Sequence, residues 1–299
     1  GAAFADNAKA FCPTFSYQYS RDLNIGFIGL FDTVAAVAGL TNFGNVSSSI
    51  SPWVKLHLPR KYFTEVVQLA ARDEVRSNFP LSRVKPDHLE ITLPGAHSDI
   101  GGGYLSDAEE RVLVTPMQAL SVGIGVDVQT TSIYLEAARA KERLVALGWP
   151  AHMLEIVTPE PQVLPADVRD QLAPRLKRVY AGLQVKRRVS GALSRIYLRV
   201  MYELAKRKGV RFFEIDEFDP AYVIPRELEP LCQRFTSGNY ATTPSEESLL
   251  KSRYIHISAN WNNPLGKHSP SDFKLLYINA PCPDGIRVQH PHVPDWTLF

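Results

Sequence analysis

Two apolar runs that each stop at a chemically active side chain constrain this chain more than any other feature. The first, LNIGFIGLFD over 23–32, is rich in Ile and Phe and ends at Asp32. The second, HLEITLPGAH over 88–97, leads into a loop that carries His97. Short apolar runs of this kind predict buried strands of a parallel sheet. Between them, RKYFTEVVQLAARDEVRSNF (60–79) places Phe63, Val66, Val67, Ala70 and Ala71 on one face at helical spacing, which predicts an amphipathic helix. Strand, helix and strand in this order make the crossover of an α/β fold, in which functional groups gather at the carboxyl ends of the strands. Asp32 and His97 are both expected there.

The rest of the chain is organised around that unit. Residues 2–11, AAFADNAKAF, predict a short Ala-rich helix. From about Thr131 to Lys208 the pattern is helical: SIYLEAARAKERLVALGW ends at a Gly-Trp-Pro break, and GALSRIYLRVMYELAKRKG has Leu193, Ile196, Val200 and Leu204 on one stripe. VTPEPQVLPADV between them predicts a surface loop. The last quarter returns to strand-like pieces, RYIHISANW and KLLYINAP. Three regions follow: 1–125 as the α/β portion, 126–235 as a mainly helical insertion suited to a lid or a membrane contact, and 236–299 as a strand-containing segment that rejoins the sheet or forms a small β addition.

Composition excludes several classes. With 299 residues and 45% hydrophobic content the chain buries a sizeable core. No run reaches the roughly 18–20 apolar residues of a membrane-spanning helix. A net charge of +2 gives no basis for nucleic-acid binding by the whole chain. Charge is nevertheless uneven, with twelve Lys and Arg against one acidic residue, Glu203, from Arg175 through Arg211. Cys12, Cys232 and Cys282 are widely separated and lack CxxC spacing, so neither a disulfide framework nor a zinc knuckle is expected. The opening GAAFADNAKAF has no initiator Met and no signal-peptide pattern, so further chain is expected upstream.

The chemistry-bearing residues each admit two readings. Asp32 after an apolar strand can orient an imidazole and stabilise its protonated form, or it can cap a helix starting at Thr33. His97 on a strand-end loop can relay protons near neutral pH or hydrogen-bond locally. Asp99 can be a second carboxylate or an Asx-turn residue that shapes the loop. Gly101, Gly102 and Gly103 lack both the P-loop ending and the GxGxxG spacing; with Gly95 they are expected to shape the loop through close approach and positive φ. Asp32, His97 and Asp99 together can also hold a metal, which would make the site a metal-dependent hydrolase. His256 in YIHISANW competes with His97 for the role of base. Asp73, Glu74 and Arg76 in ARDEVRSNF read as a structural ion-pair cluster. A G-x-S-x-G elbow, the sharp turn that exposes a catalytic serine, occurs nowhere in the 299 residues.

Three motifs in order, IGLFDTVAAVAG, QLAARDEVRSNFPL and PGAHSDIGGGY, resemble the α/β-hydrolase-like family of antibacterial phospholipase effectors of bacterial type VI secretion. They span roughly residues 1–120, and DFKLLYINAPCPDGIRVQHP resembles the family's carboxyl-terminal part. The resemblance implies an α/β-hydrolase-like, mainly parallel sheet of which the upstream strands are missing here. It implies a Ser-Asp-His triad with Asp32 as orienting acid and His97 as general base. Gly1 resembles the last glycine of the family's G-F-S-R-G-A elbow, so the serine would lie two residues before it. The implied activity is a phospholipase A-type esterase that needs no cofactor or metal. Implied partners are a phospholipid membrane surface, a secretion spike protein and an immunity protein, with no nucleic acid. The implied place of action is a target cell's periplasm after type VI secretion. A non-enzymatic module that docks a membrane or a partner is the remaining alternative.

Overall fold

Residues Ile28–Phe31 (β1), Val66–Ala71 (β2) and Leu89–Leu93 (β4) form a three-stranded parallel sheet in the order β1-β2-β4. The computed structural model describes residues 26–34, 56–63, 65–165, 174–262 and 279–294. The register sets Phe31 beside Leu69 and Ala71 beside Leu93, so all three strands end at one edge of the sheet. The expected helix over 60–79 is therefore a strand in its central part. VVQLAA is buried at every position, as a middle strand covered on both faces must be, and six apolar residues carry too little periodicity to separate helix from strand. β-Branched Val66 and Val67 favour the extended form. Gln68, the one polar residue of the run, is satisfied by Ser82 O (3.0 Å), Glu90 Oε2 (3.2 Å) and the Thr33 N–H (3.2 Å).

The strand readings at 23–32 and 88–97 hold for β1 and β4. The short helix expected over 2–11 lies outside the described residues, as does most of KLLYINAP.

Helix α1 (His97–Gly101) follows β4 directly. Strands β5 (Ala108–Leu113), β6 (Gln118–Gly123), β7 (Leu154–Val157), β8 (Gln162–Val163) and β9 (Leu176–Val189) form a second, antiparallel sheet centred on the 14-residue β9. β6 and β8 flank its first half and β5 and β7 its second. A long strand thus occupies the region expected to be mainly helical. Its Val179, Ala181, Leu183 and Val185 alternate inward at period two, packing with helix α2 (Ser132–Ala146) through Ile133 and Ala140. Helix periodicity further along the same charge-rich run masks that alternation.

Helix α3 (Leu193–Arg207) bears the anticipated stripe. Leu193, Ile196 and Val200 are at most 1% exposed and pack with Val67, Leu69 and Leu93 of the parallel sheet. The stripe is committed to the core, so it cannot also face a lipid surface, and the basic residues sit on the solvated side and on β9. Helices α4 (Glu229–Ser237) and α5 (Pro244–Arg253) complete this core through Leu231, Phe235 and Leu250. Among the described residues no helix is long and apolar enough to cross a membrane.

RYIHISANW forms no strand after α5. Its amides go largely to other groups instead: His256 N–H to Asp99, Ile257 N–H to Glu110, Trp261 N–H to Leu113 O. The two-residue strand β10 (Gln289–His290) pairs in parallel with β3 (Leu81–Ser82) as a separate two-stranded sheet, and the Ser82 N–H donates to Thr33 O just after Asp32. Cys232 and Cys282 are free thiols, both buried, and Cys12 lies outside the described residues.

Candidate active site

The carboxyl ends of β1, β2 and β4 supply three polar groups to one place. After β1 the Asp32 amide continues the ladder to Leu69 O (2.7 Å), then the backbone turns into the left-handed region at φ 48°. Among non-glycine residues Asp is one of the few that tolerates this. The turn sends the carboxylate inward, where it is 0% exposed and accepts four hydrogen bonds. Oδ1 takes the Ala71 N–H (2.7 Å) and Arg287 Nη1 (2.7 Å). Oδ2 takes Arg287 Nη2 (2.8 Å) and His97 Nδ1 (2.8 Å). Burial works to raise the pKa of this carboxyl, but the bonds from His97, Arg287 and Ala71 and the charge of Arg287 outweigh it and hold it below the usual carboxylate range. Asp32 is an ion-paired acceptor, and the helix-capping reading is set aside for it.

His97 opens α1 and is held from several sides. Its amide donates to Glu74 Oε2 (3.2 Å), and its ring meets Phe79 edge-on at 5.0 Å between centroids. The Arg76 guanidinium lies 3.3 Å from the centroid of the same Phe79 ring. Glu74 is fastened by Arg76 Nε (3.0 Å), Arg76 Nη2 (2.8 Å) and Ser258 Oγ (3.1 Å). Burial tends to raise the Glu74 pKa and Arg76 overrides it, so the group stays anionic. The structural reading of Glu74 and Arg76 thus holds, with the addition that the cluster supports the His97 backbone. Asp73 stands apart from that cluster: it pairs with Arg72 and accepts the Gly95 N–H at 2.7 Å, which ties it to the loop before His97.

Because Asp32 is an acceptor only, the bridging hydrogen belongs to His97 Nδ1, which leaves the Nε2 lone pair unprotonated in the neutral ring. Nε2 has no hydrogen-bond partner among the described residues, and the side chain is 29% exposed. A neutral imidazole so oriented by a buried carboxylate is equipped to accept a proton.

Asp99 and His256 form a second pair. His256 Nδ1 lies 2.7 Å from Asp99 Oδ1, while Asp99 Oδ2 accepts the amides of His256 (3.0 Å) and Ala96 (2.9 Å). Asp99 therefore shapes the loop, as one reading had it, and also holds the competing histidine. His256 is stacked on Tyr104 at 3.6 Å and its side chain is 6% exposed, against 29% for His97. That difference makes His97 the more accessible base.

The glycines divide. Gly95 (φ 120°) and Gly102 (φ 79°) occupy conformations that other L-residues rarely adopt, and a Cβ on Gly95 would sit 2.8 Å from Asp99 Cβ. Gly103 is needed for space, since a Cβ there would meet Ser98 Oγ at 2.9 Å. Gly101 has neither a positive φ nor a crowded Cβ, so the loop-shaping expectation fails for it.

Asp32, His97 and Asp99 do not converge on a metal position: both oxygens of each carboxylate are already taken by donors, and the two acids serve different histidines. Elsewhere, His57, Asp87 and His292 each bring a ligand atom within 4.8 Å of the others. Both His292 nitrogens are engaged, however, Nδ1 with Asp87 Oδ2 (2.8 Å) and Nε2 with the Leu58 N–H (3.0 Å). An amide donor aimed at Nε2 requires a neutral ring, and burial, with His57 and His88 nearby, lowers the His292 pKa against the pull of Asp87. A folded-state pKa below the ordinary value of about 6.5 contributes stability that is present above that pH and lost as pH falls below it. The melting temperature should therefore drop between pH 7 and 5, less steeply in His292→Asn; equal slopes would sink this account.

A cavity of about 860 Å³ lies between α3, residues 214–218 and α4, and none of Asp32, His97, Asp99 and His256 lines it. Arg287 is the site residue that sequence reasoning missed. An arginine between Ile286 and Val288 in a short alternating run hints at an inward cation, but nothing local names Asp32 as its partner.

Residues 4–122 match the family model of the catalytic domain of Tle1-like type VI secretion phospholipase effectors. A solved structure of the Tle1 effector bound to the VgrG spike of the type 6 secretion system is 26% identical, with a TM-score of 0.76. The match covers 97% of this chain and 62% of that one, so the chain spans less than two thirds of its structural relative. No curated protein sequence matches the chain.

Proposed function

We propose that this chain, whose residues 4–122 match the Tle1-like catalytic-domain model, is a type VI secretion phospholipase effector of that kind and supplies the acid and base of a serine-dependent phospholipase A-type site. The observation that carries this reading is the buried, Arg-held Asp32 hydrogen-bonded to a partly exposed His97 at the ends of adjoining parallel strands. The nucleophile is a serine of the family's elbow, which the 299 residues do not contain. In the reaction, His97 Nε2 takes the proton from serine Oγ as oxygen attacks the ester carbonyl carbon. The same proton then goes to the departing lysolipid oxygen, leaving an acyl-enzyme. Water, deprotonated by His97, then attacks the acyl carbon, and the same proton passes to serine Oγ as its bond to the acyl group breaks and the fatty acid departs. Asp32 stays ionised throughout and stabilises the imidazolium formed in each half.

The spike-bound relative supports secretion on a VgrG-type spike. Action on membrane lipid in a target cell's periplasm and antagonism by an immunity protein belong to the proposal as consequences of the phospholipase reading. No cofactor enters the mechanism.

The test is fluorophosphonate labelling of the complete protein with mapping of the modified peptide by mass spectrometry. Label on a serine in an elbow just before residue 1 is the expected outcome. Absence of label together with chelator-sensitive hydrolysis would overturn the serine mechanism, and absence of any turnover with intact membrane binding would favour the docking alternative.

A further inference from the structure

The carboxyl-terminal segment reaches the site through one side chain. Pairing of β10 with β3, with Leu81 N–H to Val288 O and Arg83 N–H to His290 O both at 2.9 Å, fixes the backbone that immediately follows Arg287. The side chain is 5% exposed and every guanidinium nitrogen is used: Nε donates to Phe79 O (2.6 Å), Nη1 and Nη2 to the two Asp32 oxygens. This is the two-pronged arginine–carboxylate geometry that only a planar fork can make.

We infer that Arg287 is a positioning residue for the Asp32–His97 pair: it locks the Asp32 carboxylate in one orientation and, as a like charge across that carboxylate from the imidazole, limits how strongly Asp32 holds a protonated His97. The inference rests on the proposed acid–base reading. Four donors saturate the Asp32 oxygens, so the carboxylate has no freedom to rotate or to recruit water. Its charge is shared between two cationic partners when His97 is protonated. A base that must accept a proton in one half of the reaction and surrender it in the same half works best when neither state is over-stabilised. Arg287 also fixes the Phe79 carbonyl, and the Phe79 ring is what stands edge-on to His97. Among the described residues, the other charged groups facing His97 are Glu74 on its amide and Arg76 behind Phe79, and neither touches its Nδ1.

The experiment compares Arg287→Gln and Arg287→Lys in the complete protein. One readout is the pH–rate profile for fatty-acid release; the other is an NMR titration of the His97 ring with 15N-labelled histidine, which needs no activity. Arg287→Gln should move the His97 midpoint and the acidic limb of the profile to higher pH, by roughly one unit, the size of effect a removed neighbouring charge produces. Arg287→Lys keeps the charge and loses the fork, so kcat should fall about tenfold or more while the midpoint stays near its original place. If Arg287→Gln does not fold, a Lys variant with wild-type kcat overturns the positioning role. A folded Gln variant whose His97 midpoint is unmoved or lowered overturns the charge-sharing role. Should His97→Ala remain fully active, the base assignment fails, yet the titration still decides whether Arg287, Asp32 and His97 are coupled.

Discussion

Phospholipid hydrolysis by the complete protein should fall on the order of 10⁴–10⁶-fold when His97 is replaced by alanine, with kcat carrying the loss. The range follows from the role: without a base the serine oxygen attacks only as the rare alkoxide, and the departing oxygen leaves without a proton. The substitution removes the base alone, so association of the complete protein with liposomes should persist. His256→Ala is the informative control. Its ring is buried against Tyr104 and paired with Asp99, two residues beyond His97 on α1, so its removal should loosen that turn and lower thermal stability. Activity in it should fall far less than in His97→Ala. The reverse order, an inactive His256→Ala beside an active His97→Ala, would transfer the base to the second pair.

Asp32→Asn should cost about 10⁴-fold in kcat, because the amide can donate to His97 and favour the wrong tautomer. Here it carries a second penalty. Arg287 would be left as a buried guanidinium whose carboxylate is gone, and breaking such a pair from one side destabilises by about 3–5 kcal/mol. Denaturant unfolding with and without the additional change Arg287→Gln separates the two effects. The double variant should recover part of the lost stability and none of the activity. If Asp32→Asn unfolds at the wild-type denaturant concentration, Arg287 does not depend on Asp32 and the ion pair contributes little to the fold.

Both predictions begin from residues that stand out locally. Asp32 and His97 each terminate an apolar run, and the glycines around His97 mark a turn with special backbone needs, met at Gly95 and Gly102. The α3 stripe was equally legible, since the twelve residues from Leu193 to Leu204 keep helical spacing. β2 was not legible: a six-residue apolar run gives the same count on a helix face and on a buried strand. β9 was hidden in a long cationic stretch continuous with α3.

What the sequence determined by itself is therefore the set of segments whose side-chain period or turn chemistry is a property of neighbours along the chain: β1, β4, α2, α3 and the His97 loop. What only the tertiary structure decided is which charge meets which. Asp32 is 65 residues from His97 and 255 from Arg287, and Asp99 is 157 from His256. A hydrogen bond or ion pair leaves no periodic trace at such separations, because its energy depends on distance and burial after the strands have aligned. Parallel pairing of β1, β2 and β4 brings the first pair together, and β10 on β3 delivers the arginine.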